Sequence, residues 1–218
     1  IMSYIDALYK KDEDKVYVVE RNSKGKRIFV DYDARYIFYY PDSRGKHRAI
    51  TGHTLQKVLC RTSKEFIKEQ RIRSNKTLYE QDINPVFRCL EENYLGKETP
   101  KLNVLFFDIE VDFDPEKGYA TTDDPFMPIT AISCYMNWTD QLVTFAMPPK
   151  AMNMQQAKMQ TERFSNCMLF EKEKDMLDAF LQLIEDADVI SGWNSEGYDI
   201  PYTVGRIQKV LSSDDTRR

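Results

Sequence analysis

Residues 104–114 read VLFFDIEVDFD, four apolar residues running straight into Asp-Ile-Glu. In an extended strand, residues two apart share a face. Asp108 and Glu110 therefore point one way, and Leu105, Phe107, Ile109 and Val111 point the other, into a core. Val104 and Phe106 are apolar too, so both faces are expected to be covered at the start of the strand. That suits a central strand of a buried sheet with two carboxylates exposed at its end. Carboxylates so placed repel each other unless they are solvated, protonated or bridged by a cation. A divalent metal is the usual bridge, and an all-oxygen donor set suits Mg2+ or Mn2+. Taken alone, the triplet reads better as a solvated strand end, leading into the acidic turn of Asp112, Asp114 and Glu116.

The chain has 218 residues, enough for one large or two small domains, and its 42% hydrophobic and 12% aromatic content can furnish a core. A net charge of −4 argues against a basic nucleic-acid glove. It does not exclude a nucleic-acid substrate, because metals at an acidic site supply positive charge. No apolar run is long enough to cross a membrane and no secretory leader opens the sequence, so the chain reads as intracellular. Cys60, Cys89, Cys134 and Cys167 form no C-x-x-C pair and read as buried free thiols. His47, His53 and Cys60 lie close in sequence, but their spacing matches no zinc pattern.

Residues 1–40 look β-rich. Residues 16–20 and 27–31 predict a hairpin across the polar turn 22–26, and residues 36–40 a third strand stopped by Pro41. Residues 4–9 suit a strand or a helical turn. Residues 42–53, with Arg44, Lys46, His47 and Arg48, read first as a solvated loop and second as a contact for a nucleic-acid backbone. Residues 62–72 predict a helix capped by Ser63, and residues 85–94 a second one. The polar connector 96–100 marks a boundary between domains 1–100 and 101–218.

Beyond it, strands over 101–111, 127–136 and 141–147 predict an antiparallel meander. Residues 148–164 suit a loop or short helix, and 167–170 are a short apolar piece. Residues 172–187 are the clearest helix, with Met176, Leu177, Phe180, Leu183, Ile184 and Ala187 on one face. A strand over 188–191 follows, then a helix over 200–211 with Ile200, Val204, Ile207 and Leu211 inward.

Between that strand and helix lies GWNSEGYDIP, residues 192–201, with the punctuation of a sharp strand-to-helix turn. In isolation Asp199 reads as a helix N-cap, Trp193 as core packing and Asn194 as a turn former. The two motifs together say more. FDIE at 107–110, followed about ninety residues on by Asn-x-x-x-Tyr-Asp from Asn194 to Asp199, resembles the first two exonuclease motifs of the family B DNA polymerases, most of all those of T-even-like bacteriophages and cyanophages. The N-terminal hairpin and Tyr-Glu-x-Asp-Ile at 79–83 also fit. The likeness is most specific over residues 101–211.

The resemblance implies an α/β (α+β) chain: a ribonuclease-H-like exonuclease domain, incomplete at its C-terminus, after a small β-rich N-terminal domain. It implies a proofreading 3′→5′ nuclease and two divalent metals, Mg2+ or Mn2+. Asp108, Glu110 and Asp199 would be metal ligands and catalytic carboxylates, and Phe107, Trp193, Asn194 and Tyr198 would touch the substrate. Implied partners are DNA (the single-stranded primer 3′ end and the template), the rest of a polymerase chain and a sliding clamp, with no membrane. The family's third motif, Tyr-x-x-x-Asp, does not follow before Arg218. The chain therefore reads as part of a larger DNA replication enzyme, with little or no activity of its own. The competing readings are a free-standing exonuclease and a non-catalytic module binding single-stranded nucleic acid or a partner through residues 1–100. In the latter, Lys64, Lys68, Arg71 and Arg73 would join the basic loop.

Overall fold

The computed structural model describes residues 3–98 and 100–217. The chain divides between Lys101 and Leu102 into two compact units. In the first, β1 (Ser3–Lys10), β2 (Lys15–Arg21) and β3 (Arg27–Asp33) form an antiparallel sheet in that order. The predicted hairpin is β2–β3, and the ambiguous segment before it is a strand. A second sheet follows from β4 (Tyr36–Pro41), β5 (His47–Arg48) and β6 (Thr54–Cys60), in the order β4-β6-β5. The loop expected over 42–53 thus contains a short strand, and β6 was not foreseen. Its TLQKVLC carries apolar residues at 55, 58 and 59, which do not alternate.

Helix α1 (Ser63–Ile72) is capped by Thr62, whose Oγ1 accepts from the Glu65 N–H at 3.1 Å, so the cap lies one residue before the Ser63 expected. Helix α2 (Pro85–Tyr94) starts as expected: Asn84 Oδ1 accepts from the Val86 N–H at 2.9 Å, and Pro85 sits where a missing N–H costs nothing. The core of this unit gathers Val16, Val18, Ala34, Tyr36, Cys60, Cys89 and Tyr94.

The second unit is built on β7 (Val104–Val111), the strand of the DIE triplet, with β8 (Ile129–Met136) and β9 (Gln141–Ala146) as the predicted antiparallel meander. Helix α3 (Met154–Thr161) has a capping box between Asn153 and Gln156. β10 (Cys167–Leu169) runs parallel to β9, α4 (Glu173–Ile184) follows, and β11 (Val189–Ser191) runs parallel to β7. α5 (Asp199–Val210) and a 3-10 turn (Asp215–Arg217) complete the described chain. The sheet order is β10-β9-β8-β7-β11, which leaves β7 interior. The apolar piece 167–170 is therefore an edge strand.

Along β7, Leu105, Phe107 and Ile109 are buried in a core shared with Met176, Leu177 and Phe180 of α4 and Tyr202 and Ile207 of α5. Both helices thus cover the same face of the sheet. The opposite face of β7 is not covered as expected: Phe106 is 46% exposed, with its ring 6.3 Å from that of Tyr135.

Helix α5 turns Ile200, Ile207 and Leu211 onto the core as expected, but its buried face extends to residues the aliphatic pattern did not mark and leaves Val204 out. Tyr202, Thr203, Arg206 and Ile207 are buried while Val204 is exposed. The cause is polar. Arg206 Nε donates to Glu173 Oε1 at 2.8 Å, a second Arg206–Glu173 contact makes the pair bidentate, and Arg206 Nη1 donates to the Pro125 carbonyl at 2.9 Å. Glu173 Oε1 also accepts from the Ile129 N–H at 2.9 Å, and Tyr202 Oη donates to the Met127 carbonyl at 2.8 Å. These bonds outweigh simple aliphatic periodicity, because a buried ion needs its partners.

Candidate active site

Asp108 and Glu110 are both exposed and share one face of β7, as the period of two requires. The bulge between Glu110 and Val111 ends the regular pairing with β8 directly after the second carboxylate. The second motif reaches this strand through β11. Pairing of Val189, Ile190 and Ser191 with Val104, Leu105 and Phe106 carries the chain along β7, so that residue 192 emerges beside Phe107. There the contact is close: a Cβ on Gly192 would collide with the Phe107 carbonyl oxygen. Glycine is needed for the approach, not for an unusual φ.

The turn that follows holds Asn194 at φ +53°, a left-handed conformation that asparagine tolerates better than most residues. Asn194 O accepts from the N–H groups of Gly197 and Tyr198 at 3.0 and 3.1 Å. This is the turn-forming role read from the sequence, and the side chain remains exposed. The turn places Asp199 as the first residue of α5, with Tyr198 in the capping position, so Asp199 is not the N-cap considered above. Asp199 is 5% exposed, and its Oδ1 accepts from the Ile109 N–H at 3.2 Å. Ile109 is the residue between Asp108 and Glu110, so this bond ties the second motif to the strand of the first, about ninety residues earlier.

The expected substrate-contacting residues divide. Trp193 is 93% exposed, which excludes the core-packing reading. Tyr198 is half-buried and stacks on Tyr202 at 5.3 Å, and burial raises its phenol above the ordinary range. Phe107 is corrected: it is 4% exposed and packs on Phe180 at 5.6 Å, so its side chain belongs to the core and only its carbonyl faces the turn. Not anticipated was the exposed aromatic pair Phe113 and Tyr119, 4.9 Å apart in the loop after β7. The bridge between Asp114 and Gly118, with Asp114 Oδ1 accepting from the Glu116 and Lys117 N–H groups, brings them together, and no local periodicity announces it.

Three carboxylates match the hard-oxygen preference of Mg2+ or Mn2+. Among the described residues, however, no three His, Cys, Asp or Glu side chains lie close enough together to hold a metal. Donor chemistry thus fits, while the three side chains are not gathered around one point. No helix is long and apolar enough to cross a membrane among the described residues.

Comparison with known proteins agrees with this frame. Over 95% of its length the chain is similar to a family B DNA polymerase from the hyperthermophilic archaeon Pyrobaculum calidifontis, with TM-score 0.60 at 16% identity, covering 32% of that chain. At that identity the likeness speaks for the fold, and a ribonuclease-H-like arrangement is consistent with it. In sequence, the chain is 24% identical over 224 residues to the DNA-directed DNA polymerase of Escherichia phage RB69, spanning 92% of this chain and 25% of the phage protein. It is 36% identical over 53 residues to that of Enterobacteria phage T4, covering 23% of this chain and 6% of that protein. It is 30% identical over 117 residues to the DNA polymerase catalytic subunit of Saimiriine herpesvirus 2 (strain 11), covering 53% and 11%. The chain thus spans a quarter or less of the length of these relatives. Residues 49–217 match the family described as DNA polymerase family B, exonuclease domain, and the chain belongs to that family.

Proposed function

We propose that this chain supplies the N-terminal region and the carboxylate-bearing part of a proofreading 3′→5′ exonuclease within a longer DNA polymerase. Its substrate is the single-stranded 3′ end of a primer. The observation that carries the proposal is the hydrogen bond from the Ile109 N–H to Asp199, which ties the second motif to the strand of the first. Asp108, Glu110 and Asp199 would hold the divalent cations, Mg2+ or Mn2+, which when bound supply an acidified water and charge neutralisation at the phosphate.

The residues divide the remaining work. Asp199 is fixed by burial and by its bond to the backbone, so its position is set before any ligand arrives. Asp108 and Glu110 are solvated and adjust by side-chain rotation without disturbing the core. Trp193 offers an exposed ring for the terminal base and Asn194 an exposed amide, both on a turn pinned against Phe107. Tyr198 lines the approach from the N-terminus of α5. In the longer enzyme the partners are primer and template DNA, the remaining polymerase chain and a sliding clamp, inside the cell. The 218 residues alone are expected to synthesise no DNA, to cleave it little or not at all, and to bind a single cation weakly.

The test is Mn2+ titration of the 218-residue chain by electron paramagnetic resonance, with cleavage of a 5′-labelled oligonucleotide followed in parallel. Binding that disappears in Asp108→Ala supports the assignment. Mn2+ binding, or any cleavage, that is unchanged in Asp108→Ala would sink it.

A further inference from the structure

Residues 121–128, TTDDPFMP, lie outside the strands and helices and have no part in the exonuclease reading, yet they meet α5 on three successive turns. Tyr202 Oη donates to the Met127 carbonyl at 2.8 Å, Arg206 Nη1 to the Pro125 carbonyl at 2.9 Å, and Lys209 Nζ to Asp124 Oδ1 at 2.9 Å. Lys209 and Asp124 are exposed, so their pair adds least. The Pro125 ring lies against Gly205, where an added Cβ would come within 2.7 Å of Pro125 Cγ. A glycine inside a helix is otherwise a weakness, so this one answers to the close approach. The other end of the segment is fastened to the sheet. The Asp112 N–H, two residues beyond Glu110, donates to the Pro128 carbonyl at 3.0 Å.

Residues three, four and seven apart share one side of a helix. Asp199, Tyr202, Thr203 and Arg206 do so in α5, and all four are buried. The rotation that the segment imposes on Tyr202 and Arg206 is therefore the rotation that turns Asp199 inward. The bond from the Ile109 N–H to Asp199, at 3.2 Å, lies at the long end of the hydrogen-bond range and is a weak anchor by itself. From these observations we infer that residues 124–128 form a brace between the end of β7 and α5, and that Tyr202, Gly205 and Arg206 are positioning residues for Asp199. They act through the helix and supply no ligand. The bearing of the brace on cation binding rests on the exonuclease reading, whereas its hold on Asp199 does not.

The experiment is amide hydrogen exchange of the 15N-labelled 218-residue chain, with Ile109 as the reporter and the amides of β8 as the internal reference. In Gly205→Ala the new methyl group meets a proline ring that cannot swing aside, so α5 lifts from the segment. The Ile109 amide should then exchange about 10-fold faster, while those of β8 stay within about 2-fold of the parent. The local effect of alanine has the opposite sign, because it is the better helix former. Gly205→Ala/Pro125→Ala removes the colliding ring atom and should return Ile109 to within about 2-fold of Pro125→Ala alone. Tyr202→Phe, which loses the bond to Met127 and keeps the ring, should move Ile109 the same way by about 3-fold. Circular dichroism melting establishes that each variant is folded. Mn2+ affinity, titrated in parallel, should fall by about 10-fold in Gly205→Ala and recover in the double variant, as for other residues that orient a metal ligand. Unchanged exchange at Ile109 in both single variants, an equal rise across β8, or no recovery in the double variant overturns the brace. Mn2+ affinity that keeps the parent value while Ile109 is released overturns its bearing on the site. Absence of Asp108-dependent Mn2+ binding in the parent chain counts against the exonuclease reading alone, because the Ile109 amide still reports Asp199.

Discussion

Gly192 and Asp199 show how a single residue fixes the junction of the two motifs. Gly192→Ala drives a methyl group into the Phe107 carbonyl, which only a backbone shift relieves. A loss of about 1–3 kcal/mol, measured by urea unfolding, is expected, as for other overpacked sites. At Asp199 the two roles separate. Asn keeps an oxygen to accept from the Ile109 N–H, so Asp199→Asn should leave thermal unfolding within a degree or two, or about 0.5 kcal/mol, while weakening Mn2+ binding. Asp199→Leu should destabilise by about 1–3 kcal/mol, because the Ile109 N–H is left buried without an acceptor. The sequence revealed Asp108 and Glu110 because a period of two is local. The same period placed the Phe107 side chain in the core, but it could not show that Asp199 is buried, nor that the Phe107 carbonyl receives the turn. Both depend on β11 lying beside β7.

At the level of elements, the pair formed by Glu173 of α4 and Arg206 of α5 decides how the second helix is turned. Arg206→Leu should cost about 3–5 kcal/mol in urea unfolding, because it strands the Glu173 charge. The double variant Glu173→Leu/Arg206→Leu should recover much of that loss, since matched apolar replacements are often neutral or better. A double variant no more stable than Arg206→Leu would show that the helix orientation depends on the hydrogen bonds to Pro125 and Ile129 rather than on the charge. The strands of the meander and helices α2 and α4 were legible because alternation, caps and apolar stripes are written locally. In α5 the burial of Arg206 was not legible, because a buried arginine looks like a surface one until its carboxylate is found 33 residues away. β5, β6 and β10 escaped because their apolar residues are few or do not alternate, and neighbouring strands supply what makes them extended.

For the molecule as a whole, burial links stability to alkaline pH. It pushes the Cys134 thiol and the Tyr202 phenol up to about 12 from their ordinary 9.0 and 10.0. Each therefore keeps its proton longer folded than unfolded. Their contribution is complete below about pH 9 and is lost as pH rises through about 12, so thermal unfolding should shift down steeply across that window. All four thiols are raised by burial, and Cys167 is the one that is not fully buried. Iodoacetamide should accordingly label Cys167 first and Cys134 last, read by peptide mass. The parallel pairing of β11 with β7 has one more consequence, and it concerns time. The Asn103 N–H meets Asp188 across 85 residues of chain, whereas β7, β8 and β9 follow one another as neighbours. Closing so long a loop costs conformational entropy that the meander does not. The meander can thus form first, with β11 and the turn after it arriving last and leaving earliest. Amide hydrogens of residues 189–191 should exchange before those of β8, and in that transient opening the chain would hold Asp108 and Glu110 in place with Asp199 released.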